Sequence, residues 1–248
     1  MTAQPDIDGL LFEALRALPA KPDEGTATAA QKKRYSELVS NAVAPAFGEE
    51  LRRRGMREAR PAAPGEKGLS GAERRMAGAI GAKRVDVTWA TEESGLLLAI
   101  SVKSINWRDG RSGNFQKNLT NRRGDLLYEA VTLHRRFPYA VLGGFLFLDK
   151  DAENDDTKAR RSTFANAHHR LALFDGRDDP AGRDEQYERL YLVLLDANPF
   201  QPSWRVYRGG DTDAEVPMGQ AFDELVGIVA QRNPDFYEAH NGTLRRSQ

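Results

Sequence analysis

Residues 139–149, YAVLGGFLFLD, are apolar at nearly every position. A half-exposed strand alternates apolar with polar side chains, whereas a short unbroken apolar run reads as a strand covered on both faces, at the centre of a sheet. Such a sheet needs layers above and below it, and the rest of the chain offers helices. Apolar residues at helical spacing predict helices over 6–18 (Ile7, Leu10, Leu11, Leu15, Leu18) and 27–54 (Tyr35, Leu38, Val39, Val43, Phe47, Leu51). Further helices are predicted over 121–136, about 156–173 and 219–231. Pro45 should break or kink the second helix, and Gly55 should end it. Ser70 stands three residues before Glu73, a capping-box spacing that predicts a short helix closed by Gly78 and Gly81. KRVDVTWA (83–90) alternates as a strand, and TEESG turns the chain into a second strand over 96–106. RLYLVLLD and SWRVYR read as two more. The fold class expected is α/β, a mixed central sheet flanked by helices, with an N-terminal helical region over 1–68 and the sheet-bearing core over 69–248.

Composition narrows the classes of function. The 248 residues carry 36 basic and 36 acidic side chains, so global charge neither demands nor excludes a polyanionic partner. There is no cysteine, which excludes disulfides and thiolate metal sites and fits a reducing cytoplasm. No apolar run approaches the roughly 20 residues of a membrane span, and the acidic N-terminus lacks the basic region of a secretory signal. No Gly-rich phosphate loop is present, so no nucleotide cofactor is expected. His168 and His169 would point about 100° apart on a helix and read as surface residues. Asp151, Glu153, Asp155 and Asp156 read as an acidic helix start. Arg52, Arg53, Arg54, Arg57 and Arg60 cluster at a helix C-terminus, where cations are favourable without any ligand.

AISVKSINW (99–107) holds the feature that bears on chemistry. Side chains alternate along a strand, so Ser101 and Lys103 share a face while Ile100 and Val102 take the other. By the same rule Asp86 faces away from Val85 and Val87. If the two strands pair through TEESG, an Asp and a Lys converge on one side of the sheet. A cross-strand ion pair would account for that much. So would a phosphodiester-cleaving site, in which a carboxylate holds a divalent cation and Lys serves the attacking water.

The order of elements over roughly 70–149, with Asp86 on one strand and Ser101-Val102-Lys103 on the next, resembles the PD-(D/E)XK superfamily, the restriction-endonuclease-like fold. The resemblance implies a Mg²⁺-dependent DNA endonuclease, with Mn²⁺ able to substitute. It makes Asp86 a metal ligand, Val102 a ligand through its carbonyl, and Lys103 the catalytic Lys. Ser101 stands where the family usually has its second carboxylate. Some restriction enzymes of the family with Ser there draw the missing carboxylate from the following helix. Glu129, on the flank of the face formed by Leu126, Ala130, Leu133 and Phe137, is the first candidate. Glu73 is the second and Asp125 the third. Glu73 reads alternatively as a helix cap and no ligand, and Asp125 as merely the partner of Arg122 three residues away.

Between Lys103 and Arg123 six basic side chains face one acidic one, Asp109. Arg108, Arg111, Asn114, Lys117, Arg122 and Arg123 are the types that hold phosphates and read base edges, so this loop is expected to contact DNA. The implied protein is a standalone Type II restriction endonuclease or related defence nuclease, acting on double-stranded DNA as a homodimer. A structure- or modification-directed nuclease, and a DNA-binding protein of the same fold without catalysis, are the alternatives.

Overall fold

A computed structural model describes residues 6–62, 74–77 and 82–247. Its centre is a six-stranded mixed sheet in the order β3-β4-β5-β6-β7-β8. These strands are β3 (Val87–Thr91), β4 (Gly95–Ile105), β5 (Val141–Asp149), β6 (Arg189–Asp196), β7 (Ser203–Arg208) and β8 (Glu215–Val216). β4, β5 and β6 run parallel and the remaining pairs are antiparallel. The apolar run 139–149 forms β5, which is buried along almost its whole length between two parallel neighbours.

Parallel neighbours need crossovers, and these carry α3 (Leu119–His134) between β4 and β5 and α4 (Thr163–Leu171) between β5 and β6. Both helices pack on the same face, as two successive crossovers of one hand stepping the same way across a sheet must. Leu126, Ala130 and Leu133 of α3 and Phe164 and Leu171 of α4 cluster there with Ala99, Leu142, Leu146 and Leu192. The opposite face takes α1 (Ile7–Arg16), α2 (Ala29–Arg53) and α5 (Met218–Arg232), whose Leu11, Phe47 and Phe222 cluster with Ile100, Val102, Phe145 and Val193. The helical region expected over 1–68 therefore shares its core with the sheet over every described residue from Ile7 to Ala59 that enters that cluster. Among the described residues no helix is long and apolar enough to cross a membrane.

Several local expectations change. α2 runs through Pro45, because Val43, Ala44 and Phe47 around it are buried and hold the helix against the sheet despite the missing donor. Thr28 and Gln31 close its start as a capping box. Residues 74–77, expected in a helix, form β1 (Arg74–Ala77), paired antiparallel with β2 (Ala82–Val85). Strand pairing there overrides the local cap signal; Ser70 and Glu73 lie outside the described residues. The single strand expected over 83–90 is divided at Asp86 between β2 and β3. In consequence Val85 joins the α3 cluster and Val87 the α2 cluster, rather than one face. The fourth helix begins at Thr163 and not near 156. The carboxylate of Asp155 instead turns inward and accepts from the backbone N–H of Phe115 and Thr163. His168, expected on the surface, is buried edge-on against Phe164, and burial pushes its pKa down to about 4.

The chain ends in a hairpin not foreseen from sequence, β9 (Tyr237–His240) with β10 (Thr243–Arg246). It docks where α2 stops. Gly55 adopts φ +98°, and a side chain there would meet the Leu244 carbonyl at 2.3 Å. The basic cluster at this helix end is structural: buried Arg54 pairs with Glu50 at 2.7 Å and with Asp223, and donates to the Gly242 carbonyl at 2.8 Å. Removing one partner of a buried pair leaves the other charge uncompensated, so Arg54→Ala should lower stability by about 3–5 kcal/mol in chemical denaturation. A loss under about 1 kcal/mol would show that Glu50 is not buried as described.

Candidate active site and the adjoining cleft

Asp86 occupies the bend between β2 and β3, just before the first β3–β4 pair, Val87 with Ile100. β4 continues past that pair, so the edge of Val102 has no β3 backbone opposite it. The Asp86 carboxylate takes the vacant place: its Oδ2 accepts from the Val102 N–H at 2.6 Å. Within a strand, the N–H and C=O of one residue point to the same side, so the Val102 carbonyl also faces this edge. The same Asp86 oxygen lies 3.2 Å from the Lys103 Nζ.

Alternation sends Ser101 and Lys103 to the α3 side, and Ile100 and Val102 to the α2 side. Glu129 meets them there. It sits three residues after Leu126 and four before Leu133, within the buried seam of α3 rather than on its flank, and its side chain is 0% exposed. Ser101 Oγ donates to Glu129 Oε1, and Lys103 Nζ lies 3.3 Å from Oε2. One ammonium thus stands between two carboxylates from different elements. Burial pushes the Lys103 pKa down, but the charges of Glu129 and then Asp86, with their hydrogen bonds, outweigh it and hold the pKa above the ordinary 10.5.

Tyr187, which nothing in the sequence singled out, completes the cluster. Its hydroxyl lies 3.3 Å from Ser101 Oγ and donates to the Leu126 carbonyl at 3.1 Å. Burial, and then the charge of Glu129, pushes its pKa well above the ordinary 10. A glycine makes room for it. Gly144 pairs with Ser101 in the β4–β5 register, and a Cβ on it would fall 3.3 Å from the Tyr187 ring. The adjacent Glu188 anchors this end of β6. It is fully buried, accepts from the Leu142 N–H at 2.6 Å, and pairs with Arg177 at 3.1 Å and Arg232 at 2.6 Å. Burial raises its pKa, yet His134, Arg232 and the Leu142 N–H together hold it below the ordinary carboxylate value.

Beside Val102 and Lys103 opens a cleft of about 830 Å³. The predicted loop supplies one wall through Arg108, Lys117 and Arg122. The other wall, unforeseen, is the first half of α2 with Lys32, Lys33, Ser36, Ser40 and Asn41. Arg84 also lines it, and among the described residues Glu37 and Asp109 are the acidic lining residues, against seven basic ones. Arg111 and Arg123 are exposed outside the lining. Asn114 faces inward; its amide accepts from the Gln116 N–H and donates to the Ser112 carbonyl, shaping the loop. Asp125 pairs with Arg122 at 2.9 Å and, among the described contacts, does not reach Lys103. Glu73 lies outside the described residues.

Among the described residues no group of three or more His, Cys, Asp or Glu side chains is placed to hold a metal. Asp86 and Glu129, with the Val102 carbonyl, form a smaller set made only of hard oxygen donors. The chain matches no family model, no curated protein and no solved structure.

The raised Lys103 pKa has a consequence for stability. A cation held above its unfolded pKa stabilises fully below that value, and the contribution disappears as pH rises through the folded pKa. The stability lost on Lys103→Met should therefore be constant from neutral pH to about 10.5 and shrink above it, in denaturation curves of both proteins across that range. A difference that shrinks below pH 9 would mean that the carboxylates do not hold the ammonium.

Proposed function

We propose that the chain is a Mg²⁺-dependent DNA endonuclease of the PD-(D/E)XK type. One observation carries the reading: the Lys103 ammonium is held between Asp86 and Glu129 at the mouth of a basic cleft. That is a phosphate-facing lysine with two hard-oxygen ligands beside it.

Asp86, Glu129 and the Val102 carbonyl are the groups that would hold the cation, and Mg²⁺ commonly binds one or two carboxylates and completes its shell with water and substrate phosphate. When bound, the cation lowers the pKa of water and neutralises charge on the phosphate. The protein's own groups do the positioning. Between the two carboxylates Lys103 is held as an ammonium, placed to donate: it orients the attacking oxygen and offsets charge on the phosphate. Ser101 takes no ligand role of its own. Its hydroxyl holds Glu129 in place, so the carboxylate that the strand lacks enters from α3. Arg108, Lys117 and Arg122 hold the neighbouring phosphates.

The finer reading is a Type II restriction enzyme or related defence nuclease of the cytoplasm, and its support is the sequence resemblance. Two copies related by a two-fold axis would cut both strands of a symmetric site.

Purified protein should nick supercoiled plasmid in Mg²⁺ or Mn²⁺ and not in EDTA. Asp86→Asn, Glu129→Gln and Lys103→Met, each verified as folded by circular dichroism, should each lower the rate by about 100-fold or more. Glu129→Gln is the informative member, since it retains an acceptor for Ser101 and loses only charge. Wild-type protein that binds DNA without nicking it in either metal would replace the nuclease by the non-catalytic DNA-binding reading.

A further inference from the structure

The groups that would act on the phosphodiester are recessed. Glu129 is 0% exposed, Lys103 15% and Asp86 17%, and the approach to Lys103 runs through the cleft between α2 and the 107–118 loop. The α2 wall is fixed in place. Trp107 Nε1 donates to the Lys32 carbonyl at 3.0 Å and to Ser36 Oγ at 3.2 Å, and Asn106 donates to the same Ser36 Oγ at 3.3 Å. Tyr35 packs edge-on against the Trp107 ring at 5.7 Å, and the inner face of α2 lies in the core. The wall therefore cannot swing aside without unpacking the helix.

We propose that the substrate enters this cleft as a single strand of DNA, with the first half of α2 forming one side of the groove. The inference rests on the nuclease reading above, and sets a flap, gap or open end in place of the intact duplex site of a restriction enzyme. Three features carry it. Lys103 lies within a cleft of about 830 Å³ and is only 15% exposed, whereas specific duplex recognition uses an extended outer surface. Duplex DNA is also stiff, with a persistence length of about 50 nm, so it does not bend into a recess walled by a packed helix; a single strand can.

The lining chemistry is the second feature. Lys33 and Lys117 line the groove; the Lys33 pair with Glu37 (3.8 Å) is exposed on both sides, and Lys117 itself is exposed although its partner Asp109 (2.7 Å) is not. Such pairs contribute about 0–1 kcal/mol, so they exchange readily for phosphate. Ser40 and Asn41 add hydrogen-bonding groups of the kind that reach unpaired base edges. The third feature is Trp107 in the lining, with the Lys21 and Lys32 ammonium groups 4.8 and 5.4 Å from its ring centroid. A base entering the groove would stack on this ring in place of a lysine ammonium, combining stacking and charge.

The test uses the full chain in EDTA, so binding is read without cleavage. Fluorescence anisotropy compares single-stranded DNA, the blunt duplex of the same sequence, and single-stranded RNA. The single DNA strand should bind with a Kd at least roughly tenfold below that of the duplex and of the RNA. The double charge reversal Lys32→Glu with Lys33→Glu should weaken that binding by about tenfold or more, while Lys32→Arg with Lys33→Arg keeps it, both variants verified as folded by circular dichroism. Duplex binding as tight as single-strand binding, tighter binding of RNA, or indifference to charge reversal would each overturn the proposal. Cleavage of the same probes in Mg²⁺ separates the two readings. Tight single-strand binding with nothing cut removes the nuclease and leaves the groove; preferential binding and cutting of duplex does the reverse.

Discussion

The arrangement turns on a single ammonium. Lys103 enters from β4, Asp86 from the bend before β3, and Glu129 from α3, and no two of these carboxylate and amine groups belong to one element. Glu129 has no exposure to water, and Lys103 and the Ser101 hydroxyl partner its carboxylate there. Lys103 in turn depends on both carboxylates to remain an ammonium against its own burial. Each group is retained at a cost that the others help to offset, and the sheet edge, the bend and the crossover helix have to arrive together for it to close. The same interdependence suits a site in which a cation, when bound, competes with an ammonium for carboxylate oxygens.

The strand β4 was legible because it follows the simplest rule in the chain, alternation. Ser101 and Lys103 could be assigned one face from spacing alone, and Asp86 could be set opposite them from the strand before. Two things blurred the rest. Periodicity places a helical residue to within about a third of a turn, so Glu129 read as a flank residue although tertiary packing draws it wholly inside. Tyr187 had no local signal, since its role exists only through contact with a strand 86 residues earlier in the sequence and through a glycine opposite that strand. β8, β9 and β10 are two to four residues long and polar, below the length at which a pattern can be told from a loop. The bend at Asp86 escaped because an alternating sequence continues across it while the chain changes partner from β1 to β4.

α2 links fold to site. Its buried face carries Val39, Val43 and Phe47 into the core beneath the sheet, and its outer face lines the cleft with Lys32, Lys33 and Asn41. Packing therefore fixes the width of the approach to Lys103. A helix that sequence alone separated from the sheet-bearing core is the element that restricts what can reach that core's polar cluster. The proposed division of labour follows: the cluster decides the chemistry, and α2 with the 107–118 loop decides the form of DNA admitted.

A crystal of the full chain soaked in Mn²⁺ and measured at the manganese absorption edge tests the central claim most directly. One anomalous peak is expected beside Asp86 and Glu129, the residues that with the Val102 carbonyl would hold the cation. Carboxylates still closed on Lys103 with no peak beside them at saturating Mn²⁺ would contradict that claim, and would make the cluster a buried ion network of the fold.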